Sequence, residues 1–199
     1  MTAFRKPQAT PAPNAARFAI RAERASDVVA REALLDACFG ENRSLRTCQR
    51  LRDGCVPAEG LAFSALREGK LVGTLRLWHV SAGGVPALIL GPLAVETGSR
   101  NLGVGAALIT CALAAAGARG HRAVILLGDA PYYARFGFSA DKTGALTLPG
   151  PFERERLLGL ELSEGALDGI AGMIVASGAL SLRVPRARKR ASRTVPQAA

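Results

Sequence analysis

The chain has 199 residues, 49% of them apolar, which suits one domain with a sizeable core and excludes a disordered or collagen-like polypeptide. Its formal charge of +10 is unevenly spread: residues 1–22 carry four basic groups and no acid, residues 169–199 carry six and no acid, and Glu23 to Asp168 hold 16 of each sign. Electrostatic attraction for nucleic acid or an anionic membrane therefore has to run through the two ends.

Residues 1–16, with Pro7, Pro11 and Pro13 and no apolar period, read as a flexible arm, and no apolar run follows Arg5 and Lys6 to make a secretory signal. A folded domain is expected over 17–182 and a basic, disordered tail over 183–199. Alternation from Arg17 to Glu23 predicts a half-buried strand. Ser26-Asp27 is an N-cap signal for a helix whose Val28, Val29, Ala33, Leu34, Leu35, Cys38 and Phe39 share one face until Gly40 ends it. A second short helix is predicted from Ser44 to Arg52, with Arg43, Arg46, Arg50 and Arg52 mostly on its wet side. Two apolar runs, Leu61 to Leu66 and Leu71 to Trp78, flank Arg67-Glu68-Gly69-Lys70 and predict a hairpin.

Ala87 to Val95 is apolar throughout, as a strand buried on both faces would be, and Gly91-Pro92 within it marks a bulge or a strand end. A polar stretch, Glu96 to Arg100, leads to an Ala-rich helix beginning near Gly103. The uncharged run from Asn101 to Ala118 is 18 residues, close to the lower limit of about 17 to 25 for a spanning helix. Its Ala and Gly content instead predicts a helix inside a soluble domain and no transmembrane segment. Ala123 to Leu127 predicts another buried strand, followed by a short helical segment, Pro131 to Phe136, and a last strand at Leu157 to Leu162. Gly169 to Leu182 is predicted as a short helix, packed on the domain or against a second subunit in a homodimer. This order indicates a single α/β (α+β) domain, a mixed, mostly antiparallel sheet flanked by helices.

Cys38, Cys48, Cys55 and Cys111 form no C-x-x-C pair, and His79 and His121 are the only histidines, so neither a disulfide framework nor a metal site is expected. Buried or idle thiols in a reducing, cytoplasmic setting fit this pattern.

The stretch from Leu93 to Leu108 carries the most chemistry. Gly103 and Gly105 permit close backbone approach, and the N–H groups and dipole of a helix start suit a phosphate or pyrophosphate. A Walker A loop is absent, and the third position of a dinucleotide fingerprint is Leu108, although Asp129 at the end of the next strand favours that reading. Arg100, Gly103 and Gly105 match Q/R-x-x-G-x-G/A. That pattern, with Tyr133-Ala134-Arg135-Phe136-Gly137-Phe138 about 30 residues later, resembles the coenzyme A loop and Tyr-x-x-x-Gly-Phe segment of GNAT-type N-acetyltransferases. The resemblance spans Phe18 to Leu162 in element order and is closest to uncharacterised bacterial predicted N-acetyltransferases with a Leu-Gly-Pro-Leu-Ala-Val strand.

The resemblance implies acetyl-CoA, or another acyl-CoA, as co-substrate and a small-molecule or peptide amine as acceptor. It implies that Leu93, Ala94 and Val95 hold the thioester and pantetheine, beside a wedge opened by the splayed strand at Pro92. Arg100, Asn101, Leu102, Gly103, Val104, Gly105 and Ala106 would hold the pyrophosphate. Family members usually carry Gly and a basic residue where Asn101 and Leu102 stand, so one cationic contribution is missing. Tyr133, four residues before Gly137, matches the position that often protonates the departing thiolate, and a neutral phenol is chemically suited to that role. Its neighbour Tyr132 fits packing or substrate contact. The general base is left open between Glu96, a water chain and His79, which could face the cleft from late in the third strand; His121 is expected at the surface.

A reading of another class makes the chain a nucleic-acid-associated binding protein with a catalytically weak or vestigial acyl-CoA fold. In it, the run Arg183 to Arg193 contacts nucleic acid or an acidic partner. Arg43, Arg46 and Arg50 hint at an anionic acceptor.

Overall fold

The computed structural model describes residues 18–181, so the flexible arm and the basic tail expected from the sequence lie outside the described residues. The elements are β1 (Ala19–Ala22), α1 (Val28–Phe39), two 3-10 segments (Glu41–Leu45 and Thr47–Leu51), β2 (Ala62–Arg67), β3 (Lys70–Ala82) and β4 (Val85–Val95). A 3-10 segment (Thr97–Leu102), α2 (Val104–Ala118), β5 (Ala123–Leu127), α3 (Ala130–Ala134), β6 (Leu146–Thr147), β7 (Leu157–Glu161) and β8 (Gly172–Ala176) follow. The sheet runs β1-β2-β3-β4-β5-β7, with β8 joined to β3 and β6; β4/β5 and β6/β8 are the parallel pairs.

The hairpin turn predicted at residues 67–70 is present, with Glu68 at φ 52° and Gly69 at φ 76°, the two positive values that a tight hairpin turn needs. Two apolar layers cover the sheet. Leu75, Leu77, Leu88 and Leu90 meet Val104, Leu108 and Ala112 of α2 on one face. Trp78, Val80 and Ile89 meet Leu51, Leu146, Leu157 and Leu167 on the other. Gly73 brings α2 onto β3: a Cβ there would lie 2.8 Å from Val104 Cγ1.

Three local expectations are corrected. In α1 the inward face is carried by Arg31 and Leu35, while Val29 is 82% exposed and Ala33 is also outside. Arg31 can be buried because its guanidinium pairs with Glu23 and Glu32, and Glu23 also pairs with Arg76 from β3. The Asp27 carboxylate does not cap α1. It turns instead to Arg21 Nη1 and Nη2 (2.6 and 2.8 Å), the Arg24 N–H (2.9 Å) and Ser64 Oγ (2.9 Å), tying β1, α1 and β2 together.

The helix predicted from Ser44 to Arg52 is two 3-10 turns, broken where Arg46 is extended (ψ 144°). The second turn is fixed by tertiary bonds: Thr47 Oγ1 donates to the Pro151 carbonyl and Arg50 Nη1 to that of Pro149.

The helix predicted at 169–182 is instead β8. It extends the sheet where β2 stops: β2 ends opposite Arg76, and β8 pairs with β3 from Val80 to Ala82. The β-branched residues Ile174 and Val175 suit that edge, and Ile174 is fully buried against the second core layer.

Candidate active site

The site begins at a register break. Leu75 pairs with Leu93 and Leu77 with Leu90, so Gly91 and Pro92 together oppose Arg76 alone, a β-bulge. Pro92 has no N–H to lose to the ladder, and Gly91 sits at φ 129°, a region open to glycine. One extra residue reverses the alternation, so Leu88, Leu90, Leu93 and Val95 all face α2. Beyond the bulge β4 leaves β5: the two pair only at Leu88/Val124 and Ile89/Ile125. The strand expected to splay at Pro92 does so.

Two cavities open along this split. One, of about 370 Å³, is lined by Leu93, Ala94, Val95, Arg100, Gly103, Gly105 and Ala106, with Cys38 and Phe39 from α1 and Tyr132 and Arg135 opposite. The other, of about 800 Å³, lies between Leu90–Leu93 and Leu127–Tyr133 and is flanked by the 3-10 turns and residues 151–156. Phe39, Leu93 and Tyr132 belong to both walls, so the cavities adjoin.

At the smaller cavity, Gly103 (φ 79°) forms the N-cap of α2, and the first α-helical bond is Ala107 N–H to Gly103 O. The amides of Val104, Gly105 and Ala106 therefore have no carbonyl one turn back, which leaves at this end a cradle of donors of the kind that suits an anion. A Cβ on Gly105 would stand 3.0 Å from Tyr132 Oη and 3.6 Å from Val95 Cγ2, so glycine keeps the cradle open. Arg100 folds against β4, its Nε 3.4 Å from the Val95 carbonyl. Of the ten residues expected to hold the co-substrate, three point elsewhere: Asn101 is exposed, Leu102 packs on the core and Val104 is fully buried. Leu102 and Val104, packed inward, leave only their backbone to the cavity.

Tyr133 lines the larger cavity from α3. Asp129 caps that helix by accepting from the Tyr132 N–H at 3.2 Å, a structural role that accounts for the acid at the end of β5. Gly128 lets the Tyr133 ring lie against the strand end, since a Cβ there would be 2.4 Å from Cε2. Tyr132 and Phe138 meet the ring edge-on at 5.0 and 5.9 Å. Burial, with smaller contributions from Tyr132 and Asp129, pushes the Tyr133 phenol up to about 12. Burial also raises Tyr132, against the Arg135 guanidinium stacked 4.3 Å from its ring.

Neither candidate base lines these cavities. Glu96 is exposed on the turn after β4, with Ser99 Oγ 3.3 Å from its carboxylate. His79 lies beside His121 (ring centroids 5.3 Å apart) in a separate cavity past the C-terminal end of α2. The 15 residues of α2 separate that end from the glycine cradle, about 22 Å at 1.5 Å per residue. Sequence reasoning missed the α1 and α3 contributions of Phe39 and Arg135, and Gly128. A glycine ending an apolar strand two residues before a Pro-Tyr-Tyr helix was the available signal for the last. Among the described residues no group of three metal-binding side chains occurs, and no helix is long and apolar enough to cross a membrane.

A bulged strand leaving its parallel neighbour, a glycine-opened helix start on one side and a half-buried tyrosine on the other make up the arrangement of the GNAT-type N-acetyltransferase fold. Residues 58–140 match the family model described as the acetyltransferase (GNAT) domain. An uncharacterized N-acetyltransferase, YhbS, of Escherichia coli K12 is 28% identical over 157 residues, which cover 78% of this chain and 93% of the relative. The crystal structure of E. coli YhbS in complex with CoA superposes with a TM-score of 0.70 at 27% identity, over 85% of this chain and 93% of that one. A GNAT family acetyltransferase from Brucella melitensis in complex with acetyl-CoA is 26% identical, with a TM-score of 0.51 over 77% of this chain and 99% of the other.

Proposed function

We propose that the chain transfers an acetyl or other acyl group from acyl-CoA to an amine by direct attack, with Tyr133 giving its proton to the leaving sulfur. The observation that carries this reading is the gap between β4 and β5 beyond Ile89/Ile125, with the glycine cradle at one end and Tyr133 at the other. The residues suit the co-substrate: the amides of Val104, Gly105 and Ala106, with Arg100, would take the pyrophosphate, and Leu93 to Val95 would flank the pantetheine. Acyl-CoA supplies the activated acyl carbon.

The chain's own residues do three things. The strand Leu93 to Val95 orients the acyl carbon toward the larger cavity, where the amine enters. Apolar walls from Leu90, Leu93, Leu127 and Phe152 limit water at the point of attack. Tyr133 holds the proton that the sulfur needs: the N–C bond forms, the C–S bond breaks, the phenol proton passes to sulfur, and the proton shed by the amine returns to the phenolate through solvent. A phenol near 12 is a weaker acid than an ordinary one, but a thiol in the same apolar wall is also raised by desolvation, which narrows the gap.

The reading is tested by thermal unfolding with acetyl-CoA. A ligand at 100 times its Kd adds about 2.7 kcal/mol of stability, a shift of several degrees. No shift with acetyl-CoA, longer acyl-CoA or CoA at millimolar concentration would refute it, and CoA release with a panel of amines identifies the acceptor.

A further inference from the structure

The larger cavity is lined by four arginines, Arg43, Arg46, Arg52 and Arg156, against two carboxylates, Asp129 and Glu153. Their partners separate them. Arg43 is committed outside the cavity, to Glu32 and Asp36. Arg156 is held loosely, 3.4 Å from Glu153 Oε1, and Asp129 is occupied as a helix cap. Arg46 stacks 5.1 Å above Phe39 and has no carboxylate partner among the described residues. Arg52 is half-buried behind the bulge, with Nη1 3.7 Å from where a Gly91 Cβ would be. Among the described residues its hydrogen bond is Nη2 to Gln49 Oε1 at 3.2 Å, and its buried Nε has no partner. The neighbouring acid, Asp53, is taken by Gln49 Nε2 at 2.6 Å. Gln49 thus orients the guanidinium, while the carboxylate that would neutralise it is tied elsewhere.

A half-buried cation with an unmatched donor is costly to keep unless an anion arrives to pair with it. Burial also draws the Arg52 pKa downward, the direction expected of a cation waiting for a counter-charge. Arginine presents a rigid fork of donors to oxyanions, and Arg46 stands beside it on the same wall. The bulge faces Arg52 with Gly91, whose missing side chain leaves that approach clear.

We infer that the acceptor amine carries an oxyanion, a carboxylate or a phosphate, which Arg52 and Arg46 bind in the larger cavity at a distance from the reacting nitrogen. This rests on the acyl-transfer reading and names the substrate class for the same site. Arg50, which the sequence grouped with Arg43 and Arg46, is spent on the Pro149 carbonyl and takes no part.

The test compares three acceptors of one chain length with the full chain and acetyl-CoA: an ω-amino carboxylate, the aminoalkyl phosphate and the amino alcohol. The inference expects kcat/KM for one of the anionic amines to exceed that of the alcohol by about 10-fold or more, the scale of a charge-assisted hydrogen bond. The better of the two identifies the oxyanion. Arg46→Gln, at an exposed position, and Arg52→Lys, which keeps the charge but loses the fork, should each remove most of that preference and leave KM for acetyl-CoA unchanged. Should no compound be turned over, calorimetric binding of the same three to the CoA-loaded protein decides the matter by the same ranking. An alcohol used or bound as well as the anions overturns the inference. So does a variant that raises KM for acetyl-CoA, or changes the preference for succinyl-CoA over acetyl-CoA, instead of the acceptor ranking. Failure of acetyl-CoA itself to bind sinks the acyl-transfer reading, whereas binding with turnover of neutral amines alone sinks only the oxyanion.

Discussion

The indole Nε1 of Trp78 donates to the carbonyl of Gly91 at 2.7 Å, so a buried side chain on β3 clamps the bulge that opens β4 from β5. The bulge takes the Gly91 carbonyl out of the ladder, and the indole replaces the lost donor. Trp78→Phe leaves that carbonyl unsatisfied, at a cost of about 1–3 kcal/mol. Denaturant unfolding should show that loss, together with a higher KM for acetyl-CoA. Trp78 is also the chain's single tryptophan, so its fluorescence should change on titration with acetyl-CoA. Unchanged emission at saturation would disconnect the clamp from the site.

Tyr133→Phe keeps the ring packing against Gly128 and Phe138 and removes only the proton. Steady-state kinetics should show kcat lower by about 100-fold or more, with KM for acetyl-CoA nearly unchanged. Gly128→Ala should mimic this in part, because its Cβ pushes on the rigid ring rather than on a flexible chain end. Activity near the wild-type level in Tyr133→Phe would assign the proton to another donor.

The pH profile follows from the direction of the Tyr133 shift. In the proposed reaction the acid form is the working form, and it is retained up to about 12, so kcat/KM should rise as the amine deprotonates and show no alkaline fall. An ordinary phenol would start to lose activity at about pH 10. A descending limb there would show that the tyrosine is exposed in the working enzyme or does not supply the proton.

Gly105→Val should abolish the thermal shift caused by acetyl-CoA without lowering the melting temperature of the free protein. Gly105 is helical and its φ is unstrained, so a side chain costs no backbone energy, but valine fills the cradle beside Tyr132 and Val95. Gly105→Ala should weaken binding less, since the Tyr132 hydroxyl can yield by a few tenths of an ångström. Retained binding in the valine variant would move the anion site off the start of α2.

Asp27 links β1, α1 and β2, and the Arg21 guanidinium holds its carboxyl well below the usual carboxylate range, helped by the Arg24 N–H and Ser64 and opposed by burial. A depressed folded pKa means that the stabilisation is complete above the unfolded value, about 3.9, and is lost as pH falls below it. Melting temperatures from pH 7 down to about 2 should show that fall in the wild type. In Asp27→Asn the melting temperature should start several degrees lower, with a shallower acid slope. Parallel curves would place the acid sensitivity elsewhere.

The residues legible in the sequence were those whose role depends on near neighbours in the chain. Gly40 ending α1, Glu68-Gly69 turning the hairpin, Gly103 starting α2 and Tyr133 four residues before Gly137 are all local patterns. Pro92 was legible as a bulge or a strand end because proline cannot serve a ladder, and the register of β3 with β4 makes it a bulge. The misread segments depend on distant partners. Arg31 is inside only because Glu23, itself held by Arg76 of β3, comes to it, and Gly172–Ala176 is a strand only because β3 outruns β2 and offers a free edge. His79 fell on the face of the sheet covered by α2, but at the wrong end of that helix.

By itself the sequence determined the order of elements from β2 to α3, the glycine cradle, the break at Gly91-Pro92 and the tyrosine, because backbone freedom, helix starts and missing N–H groups are properties of a residue and its neighbours. It also put the charge balance of Glu23 to Asp168 at neutrality while giving no sign of which charges were paired. Tertiary structure alone decided that Arg43 and Arg50 are spent on carboxylates and a carbonyl, and that Arg46 and Arg52 have no salt-bridge partner among the described residues. A guanidinium's availability is set by which carboxylates and carbonyls the fold brings within about 3 Å of it, and those lie on other elements.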